Sequence, residues 1–134
     1  MAKRPAFSLI ELLVVIALIG ILVAIATVSY STIQKKSRDS RRVSELKSIQ
    51  QAMEQYYANT QSSYPGSCSG LSITYLPNDM PSDPQTGTRY DDAAISSCSS
   101  TSYCFCVSME VNSGNAITNC SGTAGVFYCI RNVQ

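Results

Sequence analysis

An unbroken apolar run sets the first constraint on this chain. From Phe7 to Val28 the sequence FSLIELLVVIALIGILVAIATV carries one charge, Glu11, and no proline. As a helix, Phe7 to Tyr30 is about 36 Å long at 1.5 Å per residue, and the hydrocarbon core of a bilayer is about 30 Å thick. The whole chain has 134 residues, enough for one modest core and too few to bury such a rod. Lys3 and Arg4 precede the run, as in the charged region of an export signal. Ala24-Ile25-Ala26 leads directly into Thr27-Val28, with no polar mature start behind it, so ordinary signal removal is not expected. The run reads as a lasting anchor.

Glu11 lies near the end of the span that follows the basic leader. A carboxylate in apolar surroundings is costly unless something pairs with it. Either it snorkels to the interface, or it waits for a cationic partner supplied by processing or by a neighbour.

The formal charge of +1 hides an asymmetry. Between Ser31 and Ala58 stand Lys35, Lys36, Arg38, Arg41, Arg42 and Lys47 against Asp39, Glu45 and Glu54. Beyond Asn59 only Arg89 and Arg131 oppose Asp79, Asp83, Asp91, Asp92 and Glu110. A basic collar is thus followed by a mildly acidic body. The collar is the sole support for nucleic-acid binding, and attraction to anionic lipid explains it equally well. Basic residues before the run favour a cytoplasmic N-terminus, and those after it oppose that orientation.

Cysteine usage decides the orientation. Cys68, Cys98, Cys104, Cys106, Cys120 and Cys129 all lie in the C-terminal half. An even set behind an export-like N-terminus reads as a disulfide framework outside the cytoplasm. Six cysteines allow 15 pairings. On a strand Cys104 and Cys106 point to the same face, so they are expected to bond elsewhere. Metal binding is the rival reading, disfavoured by the absence of histidine and of Cys-x-x-Cys pairs.

After Tyr30 the helical signal continues. STIQKKSRDSRRVSELKSIQQAMEQYYAN contains no Gly or Pro. Val43, Leu46, Ile49 or Gln50, Met53, and Tyr56 or Tyr57 recur at helical spacing. One helix is expected over about 7–58, oily all round at first and amphipathic afterwards, with Gly20 its one flexible point. The later sequence is turn-rich: Pro77, Pro81, Pro84 and Gly87 exclude a regular helix. Ser72 to Leu76 reads as a short helical turn or a strand. Tyr103 to Val111 and Ala124 to Arg131 alternate as half-buried strands, with a turn at Ser113-Gly114-Asn115. The expected fold is α+β: a long helix laid against a small antiparallel sheet closed by disulfides, in a lollipop shape. The expected organisation is a basic stretch 1–6, which the family resemblance described next makes a leader, an anchoring half-helix 7–30, an amphipathic half-helix 31–58, and a head 59–134.

FSLIELLVVIALIGIL behind a short basic leader closely resembles the N-terminus of type IV pilins and of the pseudopilins of type II secretion and competence systems. The resemblance implies a class III signal peptide cut between Ala6 and Phe7 by a prepilin peptidase, and methylation of the new Phe7 amine. It implies that Glu11 sets register during assembly, meeting the terminal amine of a neighbouring subunit. The family normally has glycine before the cut, where this chain has Ala6. Leu76-Pro77, Pro81 to Pro84, Gly87 to Tyr90 and Glu110 resemble motifs of major pseudopilins and the small pilins near them. Some of those bind calcium in this region; here Asp79, Asp83, Asp91 and Asp92 lack a regular calcium-loop spacing, so no metal ligand is assigned.

The chain has no histidine, no triad and no phosphate-cradling glycine loop, so no enzyme and no cofactor are expected. The leading expectation is a structural subunit of a type IV pilus or related filament, serving adhesion, motility or DNA uptake. A major pseudopilin of type II secretion and a monomeric membrane-anchored binding protein are the alternatives. Expected partners are other copies in a helical homopolymer, the peptidase, the inner-membrane assembly platform, minor pilins, and the membrane before assembly. The precursor is expected in the inner or cytoplasmic membrane with its head outside, and the assembled subunit in a cell-surface filament.

Overall fold

The computed structural model describes residues 7–71, 74–76, 78–111 and 114–133, apart from the side chains of residues 27–29. Helix α1, Leu9–Asn59, runs 51 residues without interruption. Its extent agrees with the sequence expectation to within two residues at either end. Gly20 breaks nothing: the helix continues through it, and apart from the helix's own backbone and the adjoining residues no heavy atom lies within 4 Å of where a Cβ would stand. The helix stops where Gln61 and Ser62 turn to positive φ. Its last carbonyls find donors there, Ser62 N for Tyr57 O (3.2 Å) and the Thr60 hydroxyl for Tyr56 O (2.6 Å), as a helix end requires.

The chain divides into two compact units with the boundary between Gln34 and Lys35. In the first, every side chain from Phe7 to Ala26 is exposed.

In the second unit a four-stranded antiparallel sheet packs on the amphipathic half of α1. Its strands are β1 (Ser96–Cys98), β2 (Tyr103–Ser108), β3 (Ala116–Thr118) and β4 (Ala124–Arg131), in the order β1-β2-β4-β3. Strand periodicity sorts its residues onto two faces. Tyr103, Phe105 and Val107 of β2 and Ile130 of β4 share a core with Leu46, Ile49, Ala52 and Met53 of α1. The helical positions are spaced by three and four, as one buried stripe demands.

The opposite face of the sheet carries Cys106, Phe127 and Cys129, with Cys104, Ala116 and Cys120 around them. Disulfides join Cys104 to Cys120 and Cys106 to Cys129. Cys106 and Cys129 stand directly opposite each other in the β2–β4 register. Among the described residues, the sulfur bridges thus cover a sheet face that no helix reaches. A third bridge, Cys68–Cys98, ties the 3-10 turn Cys68–Gly70 to β1. Gly114 answers to close packing, since a Cβ there would stand 2.3 Å from the Phe127 carbonyl oxygen. Of the expected short element at Ser72 to Leu76, Ser72 and Ile73 lie outside the described residues, as do Pro77 and, in the expected turn, Ser113.

Candidate functional site

At the start of α1 the Ser8 carbonyl accepts the first helical hydrogen bond, from Leu12 N (3.4 Å). Ser8 N donates to Glu11 Oε2 at 3.0 Å. This is the returning limb of a capping box, Ser-x-x-Glu, in which a carboxylate at the third helical position satisfies the backbone donor at the cap. Negative charge at that end also suits the helix dipole. Glu11 therefore has a partner within its own chain. The spacing Ser8-Leu9-Ile10-Glu11 spelled this out, and sequence reasoning centred on membrane cost missed it. Phe7, just ahead of the helix, is 87% exposed, and Ala6 lies outside the described residues.

The segment that follows has no apolar cover of its own. Leu9, Ile10, Leu12, Ile16, Leu22 and Ile25 are all exposed. Among the described residues, α1 is the helix long and apolar enough to cross a membrane, with a mean hydropathy of 3.1 over its best window.

Further along α1 the basic collar is not what its sequence suggests. Arg42 is 2% exposed and occupies the same stripe as Leu46 and Ile49. Its guanidinium donates from Nε to Asp83 Oδ2 (2.6 Å), from Nη2 to Asp83 Oδ1 (3.0 Å), and from Nη1 to Asp39 Oδ1 (2.7 Å) and Glu110 Oε1 (2.8 Å). Arg38 adds a second fork onto Glu110, with Nε at 2.6 Å from Oε1. Asp39 also accepts from the backbone N of Glu110 (3.1 Å) and of Val111 (2.9 Å). Two guanidiniums and three carboxylates thus join the helix to the end of β2 and to the loop around Asp83. A buried charge is tolerable only when its bonds are this complete.

Electrostatics within the cluster follow from those contacts. The Arg38 fork, then Arg42, holds Glu110 down at about 2 against the opposing effect of burial. Burial pushes Asp83 upward, but hydrogen bonds from Arg42 and from the Thr86 and Gln85 amides outweigh it and leave its pKa at about 2. Hydrogen bonds that it donates, chiefly to Asp83, raise Arg42 above the ordinary arginine value.

The Pro81-to-Tyr90 stretch, whose Pro-x-Asp-Pro and Gly-x-x-Tyr elements stood out in the sequence, folds as one turn. Asp83 N donates to Thr88 O, Gly87 N to Asp83 O, and Tyr90 N to Pro81 O. Gly87 takes the positive φ the turn requires, 71°. Asp83 Oδ1 accepts from the Gln85 and Thr86 amides (2.8 and 2.9 Å), which fixes the carboxylate toward Arg42. At its far end the Tyr90 hydroxyl donates to Glu45 Oε2 (2.9 Å) on α1. The turn therefore clamps the helix at two points.

The four aspartates considered for calcium are engaged within the chain. Asp79 and Asp91 both bind Arg89, Asp83 binds Arg42, and Asp92 Oδ1 accepts from Ala94 N. The sulfur atoms of Cys104, Cys106 and Cys120 cluster closely, but each is held in a disulfide. A second polar cluster closes the other end of the head: the Tyr64 and Tyr103 hydroxyls both donate to Glu54 of α1 (3.2 and 2.8 Å). Burial, reinforced by the Glu54 charge, pushes Tyr64 up to about 12.

These features define a class: an α+β protein with a disulfide-closed head, built on a helix whose N-terminal half is suited to lipid or to other helices. The prokaryotic N-terminal methylation motif matches residues 1–27. That motif is the N-terminal signature of type IV pilins and pseudopilins, and the match covers the apolar start of this chain. Neither the curated proteins nor the solved structures provide a match to this chain.

Proposed function

We propose that the protein is a structural subunit of a type IV pilus or related filament, polymerising through the apolar half of α1. The observation that carries this reading is the continuous exposure of side chains from Phe7 to Ala26 in a chain bearing the methylation motif. Apolar surface of that extent leaves lipid only for another apolar environment, and packed helices of other copies supply one. A prepilin peptidase cuts between Ala6 and Phe7, the Phe7 amine is methylated, and an inner-membrane platform lifts the subunit into the growing fibre. The precursor spans the inner or cytoplasmic membrane with its head outside, and the product is a cell-surface filament that includes minor pilins.

In this scheme Glu11 exchanges its hydrogen bond from Ser8 N for the amine of a neighbouring subunit. Misregister leaves the carboxylate unpaired in an apolar core, so register is enforced by penalty. The folded turn from Pro81 to Tyr90 favours a second reading within the family, a major pseudopilin of type II secretion.

The test is the N-terminal mass of protein sheared from cells. Filaments containing chains that begin at methylated Phe7 are expected. Chains that retain Met1, in membranes without filaments, would overturn the proposal in favour of a monomeric anchored protein.

A further inference from the structure

We propose that Lys35 and Lys36 bind the phosphate groups of anionic phospholipids at the bilayer face next to the head. The inference rests on the membrane-anchored precursor described above, and it concerns what holds that precursor at a fixed depth.

The argument begins with the fate of each cation on α1. Arg38 and Arg42 are taken up by Glu110, Asp39 and Asp83, and Arg41 is paired with Glu45 (2.7 Å). Lys35, Lys36 and Lys47 are exposed, and none of them lies within ion-pairing distance of a described carboxylate. Half of the basic collar is therefore committed to ion pairs, and these three lysines have no ionic partner among the described residues.

Helix register selects two of the three. Glu11 is the last charge before Lys35, and the helix runs unbroken between them. With Glu11 at one hydrocarbon boundary, about 20 residues at 1.5 Å each cross the roughly 30 Å core and end near Ser31. Tyr30, exposed on the helix, then falls at the boundary where tyrosine is favoured. Lys35 and Lys36 follow about 6 to 8 Å further on, within the headgroup layer, which adds roughly 5 to 8 Å on each side of the core. Their flexible stems let the ammonium groups adjust to the phosphate plane. Lys47 lies about 18 Å beyond Lys35 along the helix, past the headgroups and about two screening lengths away in physiological salt.

Two adjacent cations thus stand at phosphate depth and one stands clear of it. Such contacts resist both sinking and withdrawal, so they also oppose extraction of the subunit into a filament.

The test uses the full chain inserted in nanodiscs of phosphatidylcholine with about 30% phosphatidylglycerol, at about 0.15 M salt, where each lysine near an anionic surface contributes a preference of roughly fivefold. Native mass spectrometry of the lipids that remain on the released protein gives the selectivity. Wild type is expected to retain phosphatidylglycerol strongly over phosphatidylcholine. K35Q/K36Q should lose most of that preference, while K47Q keeps it. Inserted wild type without selectivity overturns the inference and leaves the membrane anchor intact. Undiminished selectivity in K35Q/K36Q, or a loss in K47Q instead, overturns it as well. Failure of the wild type to insert overturns the anchor and the inference together. A short DNA duplex that binds through Lys35 and Lys36 in the absence of lipid selectivity would replace lipid with nucleic acid as the partner.

Discussion

Arg42 shows how one residue can reverse the meaning of its neighbourhood. In the sequence it belongs to a run of positive charge; in the fold it is the buried centre of a cluster that joins α1 to the Pro81–Tyr90 turn and to Glu110. The carboxylates in that cluster make stability depend on acid. Asp83 and Glu110 are held at about 2 in the folded protein, against about 3.9 and 4.3 for unfolded aspartate and glutamate. A depressed folded pKa gives stability that is complete above the unfolded value and is lost as pH falls toward the folded one. The urea midpoint of the detergent-solubilised chain should therefore be level from about pH 8 to 5 and fall between about pH 4.5 and 2. Asp83 alone contributes about 2 to 3 kcal/mol to that fall. D83N should be less stable at pH 7 and show a shallower acid limb. An acid limb unchanged in D83N would place the sensitivity elsewhere than this cluster.

At the scale of elements, what the sequence revealed depended on repetition. α1 was legible because 51 residues carry a continuous signal, and β4 because its eight residues, AGVFYCIR, are rich in β-branched and aromatic side chains. β1 and β3 have three residues each, too few for a period to show, and they exist because β2 and β4 offer them backbone partners. The burial of Asp39 and Arg42 was not legible either, because the partners that bury them on other elements lie 41 to 72 residues away. The cysteines foretold bridges but not their purpose, which depends on which sheet face lacks a helix. That purpose gives a ranking to test. Chain entropy alone makes Cys68–Cys98, with a sequence separation of 30, more valuable than Cys106–Cys129 with 23. Packing reverses the order, since Cys106 and Cys129 are both buried against Phe127 while Cys98 is only half-buried. C106S/C129S should cost about 3 kcal/mol or more by urea denaturation and expose a face that binds a hydrophobic dye. C68S/C98S should cost less and bind little dye. The opposite order would mean that loop closure outweighs cover.

For the whole molecule, the two units place different demands on one helix. All of the main core lies between Leu46 and Ile130, and all three disulfides lie beyond Lys35. The exposed side chains from Phe7 to Ala26 contribute no burial to that core. A fragment beginning at Tyr30 should therefore fold by itself. Its new helix start is suitable, because Ser31-Thr32-Ile33-Gln34 has the Ser-x-x-Gln spacing of a capping box. Lys35 and Lys36 fall just after that first turn, where repulsion from the helix dipole has largely faded. With the apolar segment gone, the exposed surface of the helix is mainly Lys, Ser and Gln, so the fragment is expected to be soluble without detergent. Its free-thiol count should be zero, its far-ultraviolet spectrum mixed α and β, and its urea midpoint at pH 7 within about 0.5 kcal/mol of the full chain in mild detergent. Free thiols or a non-cooperative transition would show that the head needs residues before Tyr30 to fold. A soluble, cooperative fragment would show instead that residues 7–29 are free to serve membrane and filament alone.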